Sequence, residues 1–154
     1  MTQIRPDRSS LRVLFLCTGN SCRSQMAEGW ARHLLGDRLE AHSAGTAPTV
    51  VNPLAVQVMR EVGVDISSQR SKSVNEFSDQ AFDLVITLCD DAQAHCPIFP
   101  GGAKTLHVGF PDPASAVGSR DSMLRVFREV RDQIRRELMP VLEEEIARRA
   151  SHCC

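Results

Sequence analysis

The sequence contains no tyrosine and only one tryptophan, and it carries no excess of charge. Eighteen basic residues stand against 19 acidic ones, which gives a formal net charge of −1. This balance excludes a general attraction to nucleic acid or membranes, so recognition of a small anion would need a local site. No segment approaches the length of a membrane-spanning helix, and the start MTQIRPDRSS is too polar for a signal peptide. We therefore expect a cytoplasmic protein.

The six cysteines do not form a C-x2-C pair, which makes a zinc site a poor fit. Their spacings are C-x4-C for Cys17 and Cys22, and C-x6-C for Cys89 and Cys96. In a reducing compartment, cysteines are more often catalytic or redox-active than joined in structural disulfides. Each cysteine can also be a small buried hydrophobic residue, and this alternative applies at every position.

The chain length of 154 residues and the apolar content of 42% are typical of one soluble domain. No repeat, low-complexity tract or linker divides the sequence. We expect a flexible N-terminal arm over residues 1–10, a single catalytic α/β domain over residues 11–148, and a flexible tail over residues 149–154.

The hydrophobic pattern predicts strands that alternate with helices. This alternation predicts a three-layer α/β fold in which helices flank both faces of a four-stranded parallel sheet. Ligands of such sheets bind where the strands end. Cys17 and Cys89 each follow a central apolar strand, so we expect them to meet at that edge. The predicted strands are 11–16, 39–43, 82–88 and 105–108, and the predicted helices are 23–35, 53–62 and a last one from about 121 past 145, kinked or split at Pro140.

The stretch CTGNSCRS, residues 17–24, lies between the first strand and the first helix and is called the oxyanion loop below. A loop that opens directly into a helix turns its N–H groups inward and forms an anion cradle. Asn20 suits a left-handed backbone, and Arg23 offers a planar fork for two oxygens. The loop would favour a Cys17 thiolate, hydrogen-bonded by Ser24 and aimed at the centre of the anion. The candidate oxyanion-binding residues are Thr18, Gly19, Asn20, Ser21, Cys22, Arg23 and Ser24.

The alternative interpretation of this loop is a buried cysteine followed by an unrelated surface arginine. C-x5-R alone occurs by chance fairly often. The buried strand before the motif and the amphipathic helix after it favour the anion site.

Four stretches together resemble the low-molecular-weight protein tyrosine phosphatase fold, and in particular the thioredoxin-coupled arsenate reductases built on it. The C-x5-R segment is common to phosphatases and reductases, whereas the pair of Cys89 and Cys96 indicates a reductase. The resemblance covers nearly the whole chain between Arg12 and the final helix. The stretches are VLFLCTGNSCRSQMAEGW (13–30), HSAGT (42–46), DLVITLCDDAQAHCP (83–97) and GFPDPA (109–114).

The resemblance implies a reaction in which Cys17 attacks arsenate and Cys89 then attacks the arsenic-bearing Cys17, which releases arsenite. Cys96 would next attack Cys89 and carry the oxidation to the surface, where thioredoxin re-reduces the protein. Asp112 matches the family's general acid, although an aspartate before Pro113 also suits a turn former. The resemblance implies no bound cofactor, thioredoxin as electron donor, and a monomer.

The remaining thiols have no assigned step. We expect Cys22 to shape the loop from inside, and Cys153 and Cys154 to lie in the tail. Relatives that bind potassium do so beside the loop, through positions matching Asn20, Glu28 and Ser43 plus an aspartate. Lys72 stands at that aspartate's position here, so an ammonium could take the cation's place.

Two other functions remain open at this stage. A phosphotyrosine phosphatase of the same fold is the nearest alternative, but Ala114 stands after Asp112-Pro113 where such phosphatases usually carry an aromatic residue. The other is a non-catalytic thiol protein that binds arsenite or a soft metal through Cys89, Cys96 and the tail, and it leaves Arg23 and the oxyanion loop unexplained.

Overall fold

A computed structural model describes residues 10–152, with side chains over residues 10–150. One sheet of four parallel strands runs in the order β2-β1-β3-β4. This architecture confirms the three-layer α/β prediction. Among the described residues, no helix is both long enough and apolar enough to cross a membrane. The strands are β1 (Leu11–Cys17), β2 (Leu39–Gly45), β3 (Leu84–Thr87) and β4 (Lys104–His107), and the helices are α1 (Arg23–Leu35), α2 (Pro53–Glu61), α3 (Asp90–Ala94) and α4 (Arg120–His152).

Side chains alternate between two cores across the central strands. On one face, Val13 and Phe15 of β1 pack with the apolar sides of α1, α2 and α4. On the other face, Leu14 and Leu16 pack with a smaller cluster that includes Ala92 of α3 and Phe77 of the 3₁₀ helix Val74–Phe77. Burial on both faces explains why β1 has a continuous apolar sequence instead of an alternating one.

The strand register brings the functional segments to one edge of the sheet. Cys17 pairs with Gly45 at the end of β2, and Leu16 pairs with Thr87 at the end of β3. The residues that follow these strands therefore emerge side by side. Gly45 is required there, because a Cβ at this position would lie 2.5 Å from the Thr18 carbonyl oxygen.

The observed elements depart from the predicted ones in two places. Of the two outcomes expected at Pro140, the split does not occur, because α4 is continuous there, and the kink stays a prediction. Leu138 and Leu142 are buried on either side of Pro140, whereas Pro140 itself is exposed, so its ring faces solvent while the core holds both halves of the helix. Helix α3 forms in a segment that has no helical hydrophobic pattern.

The predicted domain limits stay predictions. Of the expected arm, residues 1–9 lie outside the described residues. Of the expected tail, residues 149–152 form the last turn of α4, and Cys153 and Cys154 lie outside the described residues.

Candidate active site

The oxyanion loop is held in one conformation by the buried side chain of Asn20. Its backbone has a φ of 48°, the left-handed conformation expected for this residue and not found at Gly19. The Asn20 amide nitrogen donates to Ser24 Oγ at 2.7 Å and to Ser43 Oγ at 3.0 Å. Its amide oxygen accepts from the backbone N–H of Lys72 at 2.8 Å. These bonds offset the strain of the left-handed backbone.

The same network reaches the Cys17 sulfur at the end of β1. Ser24 Oγ lies 2.8 Å from Cys17 Sγ. Because Ser24 already accepts from the Asn20 amide, its own proton is available to donate to the sulfur. Cys17 is 2% exposed, so this sulfur faces the loop and not bulk water. The arrangement suits a thiolate nucleophile at the base of an anion cradle.

Cys22 lies in the same loop as Cys17 but in a different environment. Burial raises the pKa of its thiol to about 12, with a hydrogen bond to Ser21 acting in the opposite direction. Cys22 therefore stays protonated at neutral pH and is not a competing nucleophile.

Arg23 and Asp112 face each other across the mouth of the loop. The Arg23 guanidinium donates to the Phe110 carbonyl oxygen at 3.2 Å, and its other terminal nitrogen lies 3.9 Å from Asp112 Oδ2. Asp112 Oδ1 accepts from the Ala114 N–H at 3.0 Å and so begins the 3₁₀ helix Pro113–Ser115. One oxygen of Asp112 thus forms the turn while the other stays near the anion site, so the two interpretations of this residue are compatible.

The two cysteines of the relay segment, residues 89–96, flank α3. Cys89 is the residue before the helix, and its sulfur accepts from the Ala92 N–H at 3.4 Å. The Cys89 sulfur also lies 3.4 Å from Thr18 Oγ1, inside the oxyanion loop. Cys96 follows the other end of α3, is partly buried, and has its pKa raised by that burial. All four cysteines within the described residues are free thiols.

Asp91 was missed by the sequence interpretation, although it contacts the site directly. Its Oδ2 accepts from Thr18 Oγ1 at 3.1 Å and from Thr46 Oγ1 at 2.9 Å. These two hydrogen bonds, that from Thr46 first, lower the pKa of the Asp91 carboxyl. Two aspartates directly after a cysteine are ordinary helix-start residues, so only the tertiary fold distinguishes Asp91 from its neighbour Asp90.

Glu28 carries a buried carboxylate behind the loop. One oxygen accepts from Ser43 Oγ at 2.6 Å, and the other pairs with Arg32 at 2.9 Å. Lys72 Nζ lies 4.0 Å from Glu28 and donates to the Arg70 carbonyl oxygen at 2.8 Å. Burial lowers the pKa of Lys72, and Glu28 opposes that shift.

Of the side chains expected at a potassium site, Glu28 lies 4.0 Å from the Lys72 ammonium, and Ser43 joins Glu28 to Asn20 by hydrogen bonds. A monovalent cation beside Glu28 would compete with Lys72 Nζ for the same oxygens, so these residues do not fit a bound metal. Within residues 10–150, no group of three or more His, Cys, Asp or Glu side chains could hold a metal ion.

Known proteins resemble this chain over most of its length. Residues 12–151 match the family described as low molecular weight phosphotyrosine protein phosphatase. An arsenate reductase of Halalkalibacterium halodurans is 47% identical over 131 residues, which cover 85% of this chain and 94% of that protein.

Solved structures resemble it as well. One described as an arsenate reductase in oxidized state superposes with a TM-score of 0.71 at 33% identity, covering 90% of this chain and 98% of the other. A thioredoxin-dependent arsenate reductase of Corynebacterium glutamicum superposes with a TM-score of 0.62 at 30% identity, covering 88% of this chain and 63% of the other. The similarity therefore extends well beyond the oxyanion loop.

Proposed function

The chain belongs to the low molecular weight phosphotyrosine protein phosphatase family, and we propose that it acts within that family as a thioredoxin-coupled arsenate reductase. The observation that carries this proposal is the second thiol at the site: the Cys89 sulfur lies 3.4 Å from the Thr18 hydroxyl oxygen of the oxyanion loop. A phosphatase requires one cysteine and one acid, and it has no use for a further thiol there. The 47% identity to an arsenate reductase supports the same function.

Arsenate binds in the oxyanion loop. The inward N–H groups of the loop and the Arg23 guanidinium meet its oxygens, and the start of α1 adds the positive end of a helix dipole. Arg23 is already held in place by its bond to the Phe110 carbonyl oxygen at 3.2 Å. The anion therefore enters a site whose donors need little rearrangement.

The first chemical step forms a bond between sulfur and arsenic. The Cys17 thiolate attacks arsenic(V), and one arsenate oxygen leaves as water. Asp112 supplies a proton to that oxygen, because a hydroxide would be a poor leaving group. Ser24 holds the sulfur in line through its contact at 2.8 Å.

The second step reduces the arsenic. The Cys89 thiolate attacks the Cys17 sulfur, a Cys17–Cys89 disulfide forms, and the sulfur–arsenic bond breaks. Its electron pair stays on arsenic, which leaves as arsenite in the +3 state. The two thiols together lose two electrons, so the balance closes without another reductant. The Ala92 N–H donates to the Cys89 sulfur at 3.4 Å, and Thr18 Oγ1, whose proton goes to Asp91, lies 3.4 Å from the same sulfur and keeps it beside the oxyanion loop.

The last steps regenerate the enzyme by thiol–disulfide exchange. The Cys96 thiolate attacks Cys89, Cys17 leaves as a thiolate, and thioredoxin reduces the resulting Cys89–Cys96 disulfide. Because burial raises the pKa of Cys96, this thiol becomes an effective nucleophile only when the relay segment opens. The thioredoxin-dependent reductase of Corynebacterium glutamicum supports the choice of electron donor.

A phosphotyrosine phosphatase is the second candidate, because it shares the oxyanion loop and Asp112. Its aryl substrate would need an aromatic wall at the mouth of the site. Ala114 stands after Asp112-Pro113, and the single tryptophan, Trp30, is buried in the core, where its indole N–H donates to the Arg131 carbonyl oxygen. The site therefore favours a bare oxyanion over an aryl phosphate.

Thiol counting tests the proposal. The reduced protein is exposed to arsenate without any reductant, and free thiols and arsenite are measured together. We expect two thiols to disappear for each arsenite released, and Cys17→Ser to release none while keeping its melting temperature. A phosphatase would lose no thiols, and a thiol protein that only binds arsenite would release none; either result would refute the reductase.

A further inference from the structure

Asp91 joins three segments that the reaction uses at different times. It lies in the first turn of α3 and accepts hydrogen bonds from Thr18 of the oxyanion loop and from Thr46 after β2, at 3.1 and 2.9 Å. Resting on the proposed function, we propose that Asp91 is a positioning residue of the relay. It clamps α3 to the oxyanion loop so that Cys89 meets Cys17 first, and its release permits the later exchange with Cys96.

The first disulfide needs α3 intact. The Ala92 N–H reaches the Cys89 sulfur only because α3 turns it toward the start of the helix, and Thr18 reaches the same sulfur from the loop. Thr18 thus contacts both Cys89 and Asp91. A clamp through Thr18 and Thr46 therefore keeps the attacking sulfur beside the oxyanion loop during arsenate reduction.

The second disulfide needs α3 broken. Cys89 precedes the helix and Cys96 follows its end, with Asp90–Ala94 helical between them. The five helical residues Asp90–Ala94 alone rise about 7.5 Å along the helix axis, whereas the Cα atoms of a disulfide lie about 4.4–6.8 Å apart. The Cys89–Cys96 bond therefore cannot form on this backbone until α3 unwinds, and unwinding pulls Asp91 away from Thr18 and Thr46.

The hydrogen bonds that Asp91 accepts from Thr18 and Thr46 are weak enough to break and form again. The Asp91 side chain is 46% exposed, so water can replace its partners when the helix opens. His95 adds two contacts to Asp91 within the relay segment: its backbone N–H donates to the Asp91 carbonyl oxygen at 3.1 Å, and its Nδ1 lies 3.3 Å from Asp91 Oδ1. Ala92 is the only residue of α3 that is buried in the core. Few contacts thus oppose the unwinding of α3 once the Asp91 carboxylate has lost its hydrogen bonds to Thr18 and Thr46.

Asp90 provides a matched control. It is the neighbouring carboxylate in the same helical turn, its side chain is fully exposed, and its contact is His107 at 3.4 Å instead of the oxyanion loop. Asp90→Ala removes the same charge and gains the same helix propensity as Asp91→Ala. A second pair comes from Thr46: Thr46→Val removes the hydroxyl and Thr46→Ser keeps it.

The experiment has two readouts, and the first needs no arsenate. Hydrogen exchange of the Gln93 and His95 amides in the reduced protein measures the opening of α3. We expect exchange about tenfold faster in Asp91→Ala and smaller acceleration in Thr46→Val, because hydrogen bonds to a carboxylate are lost. Asp90→Ala and Thr46→Ser should match the unmodified protein. Equal exchange in Asp91→Ala and Asp90→Ala would overturn the proposal.

The second readout follows the disulfides in a single turnover with arsenate, quenched by alkylation and mapped by peptide. Asp91→Ala should form the Cys17–Cys89 bond more slowly and convert it to Cys89–Cys96 faster. Slowing of both steps would indicate general damage and overturn the clamp. Failure of the unmodified protein to release arsenite would refute the proposed function, and hydrogen exchange would still decide whether Asp91 holds α3.

Discussion

The oxyanion loop and the relay segment lie at the same edge of the sheet but are held in very different ways. Around the loop, Asn20, Ser24 and Ser43 are fully buried, and each is hydrogen-bonded to another of them. In the relay segment, Ala92 alone is fully buried, Cys89 and Cys96 are partly buried against the core, and Asp91 makes its hydrogen bonds from an exposed position. Several buried hydrogen bonds hold the oxyanion loop, whereas a few contacts that water can replace hold the relay segment.

This difference matches the demands that the proposed reaction places on each region. An oxyanion loop stabilises charge only if its donors are fixed before the anion arrives, so every buried polar group behind it has a partner. A relay must bring one sulfur to two places in turn, which a fixed segment cannot do. A firmly held oxyanion loop and a loosely held relay segment therefore lie side by side at one edge of the sheet.

Replacing Cys96, the last thiol of the relay, gives the largest expected effect. It should leave the first reduction at the oxyanion loop intact and stop the relay after it. Cys96→Ser should release one arsenite per enzyme and then stop as a Cys17–Cys89 disulfide, because no further thiol can withdraw Cys89 from the oxyanion loop. Arsenite per enzyme is measured with thioredoxin present, and the disulfide is mapped by peptide.

The control for this variant replaces Cys153 and Cys154 together with serine, which should leave sustained turnover intact. Continued thioredoxin-linked turnover by Cys96→Ser, or a mapped disulfide through Cys153 or Cys154, would contradict the order of the relay.

The sequence was sufficient to predict the oxyanion loop. β1 and α1 have unambiguous apolar patterns, and C-x5-R between them predicts an anion site, including the left-handed backbone at Asn20. Local sequence and tertiary structure agree there, so the prediction needed no knowledge of distant contacts.

The relay segment was less predictable from the sequence. Helix α3 has five residues and a single buried one, so it leaves no hydrophobic period to detect. The role of Asp91 depends on Thr18 and Thr46, which are 73 and 45 residues away in the sequence. The continuity of α4 through Pro140 was not predictable for a similar reason, because it depends on the burial of Leu138 and Leu142 on either side.

Replacing Asp112 tests whether proton donation at the oxyanion loop limits the rate of the first step. Asp112→Asn and Asp112→Ser both keep a side chain that can begin the 3₁₀ helix Pro113–Ser115, but neither can donate the proton. We expect both to slow arsenite release in a single turnover by about a hundredfold, the usual scale of general acid catalysis. Phosphate should bind about as tightly as before, because Arg23 and the loop N–H groups remain. A near-normal single-turnover rate in Asp112→Ser would leave Asp112 only the role of turn former.

Lys72 gives the smallest expected effect and tests how the oxyanion loop is held from behind. Its ammonium lies 4.0 Å from Glu28, whose carboxylate is 2% exposed and bonds Ser43, which in turn bonds Asn20. Lys72→Met leaves Glu28 paired with Arg32 alone, which should cost about 1 kcal/mol and lower the melting temperature by about 3 °C.

The unmodified protein should be indifferent to potassium, because the Lys72 ammonium lies 4.0 Å from Glu28, beside which a cation would have to bind. Exchanging potassium for tetramethylammonium at constant ionic strength should therefore change neither melting temperature nor turnover. Lys72→Asp puts a second carboxylate beside Glu28, and the repulsion between the two favours a bound cation, so potassium should raise the melting temperature of this variant. Lys104→Asp is the control, because Lys104 pairs with Glu145 at the start of β4, which is the opposite end of the parallel strands from the oxyanion loop. A clear potassium response in the unmodified protein would show that Lys72 does not replace the cation, and that the oxyanion loop depends on an ion that the chain does not supply.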